Sequence, residues 1–340
     1  MKSKSTTRSD SIDLFKGMLV VLMIVYHAAY VIQSTSHELY LSILSQLAFL
    51  HSAFLFVSGY LVGYHYSGKE TSVSQRRLFN RGCKIMLVFI ICNLFAWSIG
   101  ITPPLSVMAE SFDSMSRVLV NFVLSVSGEL FAFEILVYIA IYLWLSSRTV
   151  ALKRSSSLVG CFVTAVILST LVDSRTLEFL SVGLFGQLVG TIVRDLDTTA
   201  IAEKFETIVI RFGLAVHVLA RPIFHYAHHT VHGGARVLVL VADTLLWWAA
   251  TWSLLSLVNH AGLNKVIRLL GKHTLVAYLV QMPVVRICAL LCDASSSAGA
   301  MTYAIVVVIV FAATLITVAC VDNLQVRSSR FSTAYRFVFG

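Results

Sequence analysis

Charge is what this chain has least of. Only 13% of its 340 residues are Asp, Glu, Lys or Arg, whereas an ordinary soluble domain carries about 25%. So little charge excludes a water-facing surface of the usual kind. Proline is scarce too, with four in the whole chain. No Gly/Ser-rich stretch or block of like charge marks a linker, and no motif recurs at a solenoid period. Residues 1–340 therefore read as one membrane domain. The six cysteines (Cys83, Cys92, Cys161, Cys288, Cys292, Cys320) lie within or at the edges of apolar runs. They behave as small apolar residues rather than as a disulfide framework. Cys288 and Cys292 are one helical turn apart, but only Asp293 joins them at ligand spacing, and no metal is expected.

What the chain has is apolar length. Hydrophobic residues make up 57% of it, arranged in runs of about 20, the length that crosses a bilayer's hydrocarbon core. These runs fall at 14–32, 41–64, 83–101, 129–147, 157–173, 177–194, 203–222, 236–257, 271–291 and 301–320. The expected fold class is all-α, a polytopic membrane bundle of about ten spanning helices. Residues 105–128 have too short an apolar part to span and read as an interfacial helix. The first run is too long for a signal-peptide core and lacks a small-residue cleavage site, so it is expected to be retained.

The formal net charge is +9, which would suit nucleic acid, but the positions of the basic residues argue otherwise. With the N-terminus inside, 20 of the 26 Lys and Arg fall on inner segments. The exceptions are Arg117, Arg175, Arg211, Arg221, Arg236 and Arg286. Such a bias places both termini in the cytoplasm and explains the basic balance without a nucleic-acid partner. The expected location is the inner (plasma) membrane, multi-pass, with the lipid bilayer as surroundings and a homo-oligomer compatible with the sequence.

The stretch KGMLVVLMIVYH from Lys16 to His27 puts two ionisable groups on one apolar helix. Eleven residues at 100° each place His27 within roughly 20° of Lys16, about 16 Å deeper. Asp13 shares that face. Ionisable side chains at lipid depth are costly unless they face a bundle interior or a wet cavity. The bland alternative is that Lys16 snorkels to the headgroups and His27 is a packing histidine. In the second run, LSILSQLAFLHSAFLFVSGYLVGY, His51 and Ser58 are seven residues apart and share a face. Measured from the inner helix ends, His27 and His51 come to one depth, each 13 residues in. Ser58-Gly59 reads as a small-residue packing pattern more than as a nucleophile. Glu134 and Asp243 add carboxylates at lipid depth. In the seventh run Arg211 and His217 lie on different faces. The tract RPIFHYAHHTVHGGAR after it, with His225, His228, His229 and His232, reads as an outer loop. A His-rich tract suggests metal or a pH sensor, but no carboxylate or Cys stands nearby and a surface loop is the simpler reading.

Between the second and third runs lies a basic inner loop, KETSVSQRRLFNRGCK, in which Arg81 and Lys84 are one helical turn apart. A charge cluster of this kind is ordinarily a headgroup-facing surface. Its place on the same side as Lys16 also suits the phosphates of a cytoplasmic polyanion.

Together these features resemble the membrane acyltransferase-3 superfamily. They are Lys16 followed after ten residues by His27, the run FLHSAFLFVSGYL, the Arg81-x-x-Lys84 pair, and the late run LLGKHTLVAYLVQMP. The match is closest to the polysaccharide O-acetyltransferase branch and extends over essentially the whole chain. Departures are Lys84 in place of a second Arg, Gln281 where the family often has His, and FAFEILVY where it often has Trp-Phe-Leu. No catalytic role carries onto Gln281. The resemblance implies that Lys16, Arg81 and Lys84 hold the phosphates of acetyl-CoA, the acyl donor. His27 would then be the general base for an acceptor hydroxyl, or would take the acyl group itself, with His51, Glu134 or Asp243 orienting it. The implied acceptor is an envelope glycan or glycolipid. The rival is a transporter or flippase of a lipid-linked sugar or small metabolite that uses the same His, Glu and Asp as a proton relay, although no inverted repeat or broken helix is evident.

Overall fold

A computed structural model describes residues 10–32, 36–67, 69–98, 133–152, 155–172, 174–195, 199–258, 261–293 and 299–339. All regular structure among them is helical. In chain order the α-helices are α1 (Asp10–Ala28), α2 (His37–Gln46), α3 (Leu50–Tyr66), α4 (Thr71–Ser98), α5 (Glu134–Thr149), α6 (Ser155–Val172) and α7 (Arg175–Asp195). There follow α8 (Thr199–Thr230), α9 (Gly233–Val258), α10 (Ala261–Lys272), α11 (Thr274–Asp293), α12 (Ala300–Arg327) and α13 (Ser329–Phe339). A 3₁₀ turn, Ala29–Ile32, continues α1.

Among the described residues seven helical stretches are long and apolar enough to cross a membrane. They are His37–Tyr66, Thr71–Phe95, Ser155–Val172, Arg175–Asp195, Gly233–Leu254, Thr274–Cys292 and Ala300–Arg327, each overlying one of the ten expected runs. The other three runs fall on α1, α5 and α8. The interfacial helix expected at 105–128 lies outside the described residues.

The chain divides into two compact units, neither continuous in sequence: Met1–Leu50, Ala200–Pro222 and Leu245–Thr333 in the first, His51–Thr199, Ile223–Thr244 and Ala334–Gly340 in the second. In the first unit α1 packs along α10, α11 and α12. The closest approach rests on two glycines. A Cβ on Gly17 would lie 1.9 Å from the Ile267 carbonyl oxygen, and one on Gly271 would lie 1.8 Å from that of Asp13. Only hydrogen at those positions lets the backbones meet. Short amphipathic α10 buries Ile267 and Leu270 and leaves Lys265, Arg268 and Lys272 exposed, with Leu14 and Met18 of α1 packed on Ile267.

The second expected run is not one straight helix. It breaks at 47–49, between α2 and α3, and α2's last carbonyls must find donors at apolar depth. The Leu47 N–H serves Ile43 and Leu44, and Arg221 serves Gln46. Its guanidinium donates to the Gln46 carbonyl and, at 2.5 Å, to Gln46 Oε1. It also lies 5.8 Å over the Trp247 ring, which stacks on Phe49 with centroids 5.0 Å apart and contacts His217 at 4.3 Å. An arginine at lipid depth is thus spent on a helix end.

The second unit contains a glycine seam between α3 and α7. A Cβ on Gly59 would meet the Gly183 carbonyl at 2.0 Å, on Gly63 that of Gln187 at 2.1 Å, and on Gly186 and Gly190 those of Phe56 and Tyr60 at 2.2 Å each. Gln187, fully buried on α7, takes hydrogen bonds at Oε1 from Tyr142 (3.2 Å) and Thr149 (3.0 Å) of α5. Helix α4 presents Ser74, Leu78, Gly82, Ile85, Phe89 and Asn93 as its buried stripe, spaced at the helical period. Its Gly82 lies against the Trp144 ring of α5.

Two expected loops are helical instead. Helix α4 begins at Thr71, so Arg76, Arg77, Arg81 and Lys84 stand on a helix, consistent with the good helix formers Gln, Arg, Leu and Lys in that stretch. Helix α8 runs through Pro222 to Thr230, so His225, His228 and His229 are helical, and only His232 falls in the turn before Gly233, whose φ is +59°. Pro222 does not end the helix, and no glycine follows it until Gly233.

Candidate active site

In the first unit, His27 sits at the end of α1, 6% exposed. Its Nδ1 lies 3.2 Å from Oε1 of Gln281 on α11. Gln281 is fully buried, and its Nε2 is 3.4 Å from the Val20 carbonyl of α1. The rings of Tyr26 and Tyr278 have centroids 5.7 and 5.8 Å from that of the imidazole. Tyr303 of α12 donates to the Val25 carbonyl at 3.1 Å. His27 is therefore fixed from three helices in a mostly apolar surround. Gln281 was the residue that sequence reasoning passed over. Its signal was there, an amide in the middle of LVQMP at a depth where an uncharged polar group needs a partner.

At the inner end of α1, Lys16 Nζ is 2.8 Å from Asp13 Oδ1, with both side chains largely buried. The (i, i+3) spacing accounts for the pair, and it means that any anion approaching Lys16 competes with a carboxylate. Further along the unit, Asp322 of α12 accepts from Lys272 at 2.5 Å and from the buried His273 at 3.0 Å, holding the junction of α10 and α11 to α12.

In the second unit, His51 Nε2 is 3.0 Å from Glu134 Oε1. The His51 ring stacks on Phe179 at 5.8 Å, and Tyr138 packs edge-on against the same Phe179 at 5.0 Å. Glu134 opens α5, where the unpaired N–H groups of a first helical turn favour an anionic side chain. Beside His51, Ser52 Oγ is 3.4 Å from Thr244 Oγ1, and Asp243, which precedes Thr244 on α9, is fully buried. Glu178 and Arg236 approach to 3.7 Å. Arg81 is exposed on α4 and Lys84 is partly buried one turn on. Glu134, considered as orienting His27, pairs with His51, and Gln281 stands at hydrogen-bond distance from His27.

These are the features of a multi-pass helical membrane protein with one buried imidazole held by an amide and one partly buried imidazole held by a carboxylate, groups suited to proton transfer. The chain belongs to the acyltransferase-3 family: the family's model, described as an acyltransferase domain, matches residues 9–322. No curated protein and no solved structure matches the chain. The protein is thus a membrane acyltransferase, and the matched segment includes both imidazoles and the three cations Lys16, Arg81 and Lys84.

Proposed function

We propose that the protein transfers acetyl from cytoplasmic acetyl-CoA to a hydroxyl of an envelope polysaccharide or glycolipid, in the inner (plasma) membrane. The observation that carries this reading is the buried His27 imidazole eleven residues along α1 from Lys16, in a chain of the acyltransferase-3 family. His27 acts as general base: it takes the proton of the acceptor hydroxyl while the oxygen attacks the thioester carbonyl. As the C–S bond breaks, the same proton passes to the departing thiolate, leaving an ester and the free thiol of coenzyme A. His51, with Glu134 as its partner, is assigned to a second proton-handling position. We assign the coenzyme's phosphates to Lys16, Arg81 and Lys84, where Arg81 offers a bidentate fork and Lys84 a point charge.

The test is kinetic. Purified protein is expected to release thiol from acetyl-CoA in the presence of an acceptor, whereas a transporter neither binds nor consumes it. Arg81→Glu is expected to raise the apparent KM for acetyl-CoA by at least about tenfold, the size of a lost charge-assisted hydrogen bond, with Lys84→Arg neutral or beneficial. An unchanged KM in both variants returns this cluster to a headgroup-facing role.

The direction of transfer follows from the distribution of basic residues, which favours cytoplasmic termini. Cysteine labelling tests it in a background lacking the native cysteines, two of which, Cys83 and Cys320, are exposed. Thr230 and Ser72 are both exposed helix positions. Thr230→Cys is expected to react with an impermeant reagent added outside, and Ser72→Cys only after the membrane is opened. The reverse pattern would invert the path from donor to acceptor.

A further inference from the structure

Gln281 has two polar ends and the structure gives each a partner. One end faces the Val20 carbonyl at 3.4 Å and the other faces His27 Nδ1 at 3.2 Å. The two ends of an amide cannot be told apart by shape, so their identity follows from what each neighbour can do. The Val20 carbonyl can only accept. The end turned to it is therefore the NH2 group, which leaves Oε1 toward the imidazole. Oε1 in turn can only accept, so the imidazole nitrogen beside it must carry the hydrogen. In the neutral ring, a proton on Nδ1 puts the lone pair on Nε2.

We propose that Gln281 is the positioning residue for His27: its amide fixes the Nδ1–H tautomer and presents Nε2 as the basic atom. This rests on the reading of His27 as general base. The role needs burial, because an exposed amide would exchange its imidazole for water, and Gln281 is fully buried while His27 is 6% exposed. It also needs a rigid amide, which the anchor on the Val20 carbonyl, about two helical turns before His27 on the same helix, provides. A carboxylate in this place would hold the same tautomer but add a charge beside the base, as Glu134 does beside His51. The amide holds the ring and adds none. The two site imidazoles are therefore equipped differently, His27 gripped by its Nδ1 with a neutral partner and His51 gripped by its Nε2 with an acidic one.

The experiment is nitrogen NMR on the full-length protein with 15N-labelled histidine, the His27 signals being assigned by their loss in His27→Ala. In the wild type the neutral His27 ring is expected to show Nδ1 protonated and Nε2 unprotonated. Gln281→Met, close in volume and without an acceptor, is expected to lose that preference and to lower kcat at least tenfold with KM for acetyl-CoA within twofold. Gln281→Glu restores an acceptor and is expected to restore the Nδ1–H tautomer. Should Gln281→Met fail to fold, the wild-type and Gln281→Glu spectra still decide. A wild-type His27 protonated on Nε2, or a Gln281→Met protein with an unaltered tautomer and kcat, overturns the proposal. Failure of the general-base reading looks different: His27→Ala would keep its turnover whatever the tautomer.

Discussion

His27→Ala is expected to abolish acyl transfer while leaving the protein folded. The lost imidazole is the only group on the apolar face of α1 beyond Lys16 that can accept and return a proton near neutral pH. General-base catalysis by a positioned side chain contributes about 10²–10⁴-fold, so turnover should fall at least into that range. Stability should change little by comparison. The replacement removes the hydrogen bond to Gln281, worth about 1 kcal/mol net, or about 1–3 kcal/mol if the amide oxygen is left without a donor. Turnover per folded molecule and thermal unfolding in detergent separate the two effects. If His27→Ala keeps more than a tenth of wild-type turnover, the catalytic assignment is wrong. His27→Gln refines the result, since it keeps hydrogen bonding without basicity. Activity restored by glutamine would make His27 a packing residue and shift attention to His51 and Glu134.

Gly186→Ala is expected to destabilise the second unit strongly. The added methyl would stand 2.2 Å from the Phe56 carbonyl oxygen, an atom of a helix backbone that cannot turn aside. Relief requires α7 to move away from α3. That movement would also open the contacts of Gly59 with Gly183 and of Gly190 with Tyr60, because all lie on one seam. A loss of about 3 kcal/mol or more is expected, at or beyond the upper end of the usual overpacking range. Gly160 on α6 is the control. A Cβ there meets nothing within 4 Å, so Gly160→Ala should be neutral or gain up to about 1 kcal/mol from helix propensity. Unfolding temperatures of the two variants by size-exclusion after heating give the comparison. Equal melting of Gly186→Ala and Gly160→Ala would mean that the seam is looser than its geometry says.

Much of this protein is legible along the chain because it depends on neighbours in sequence. Apolar runs of spanning length, the helical period that puts Asp13, Lys16 and His27 on one face, and the ten-residue interval between the last two are all local properties. So is the family, whose matched segment covers residues 9–322. The same local reasoning misplaced some helix ends. It made a loop of the His-rich tract, which α8 carries on to Thr230, and one continuous span of a run that breaks at 47–49. In the first case Pro222 lies within the helix without ending it, and no glycine follows until Gly233. In the second the end of α2 is held by Arg221, which is 175 positions away in sequence.

The partners of His27 and His51 were decided by tertiary structure alone. Glu134 and His51 are 83 positions apart, Gln281 and His27 are 254 apart, and no periodicity links either pair. A carboxylate at lipid depth at least announces that it must be compensated. An amide carries no charge, costs less to bury, and so leaves a fainter mark in the sequence. That is why His27 could be found from its own helix, whereas the residue that holds it emerged only when α1 and α11 were packed together, by way of glycines at Gly17 and Gly271 that bring α1 and α10 to backbone contact.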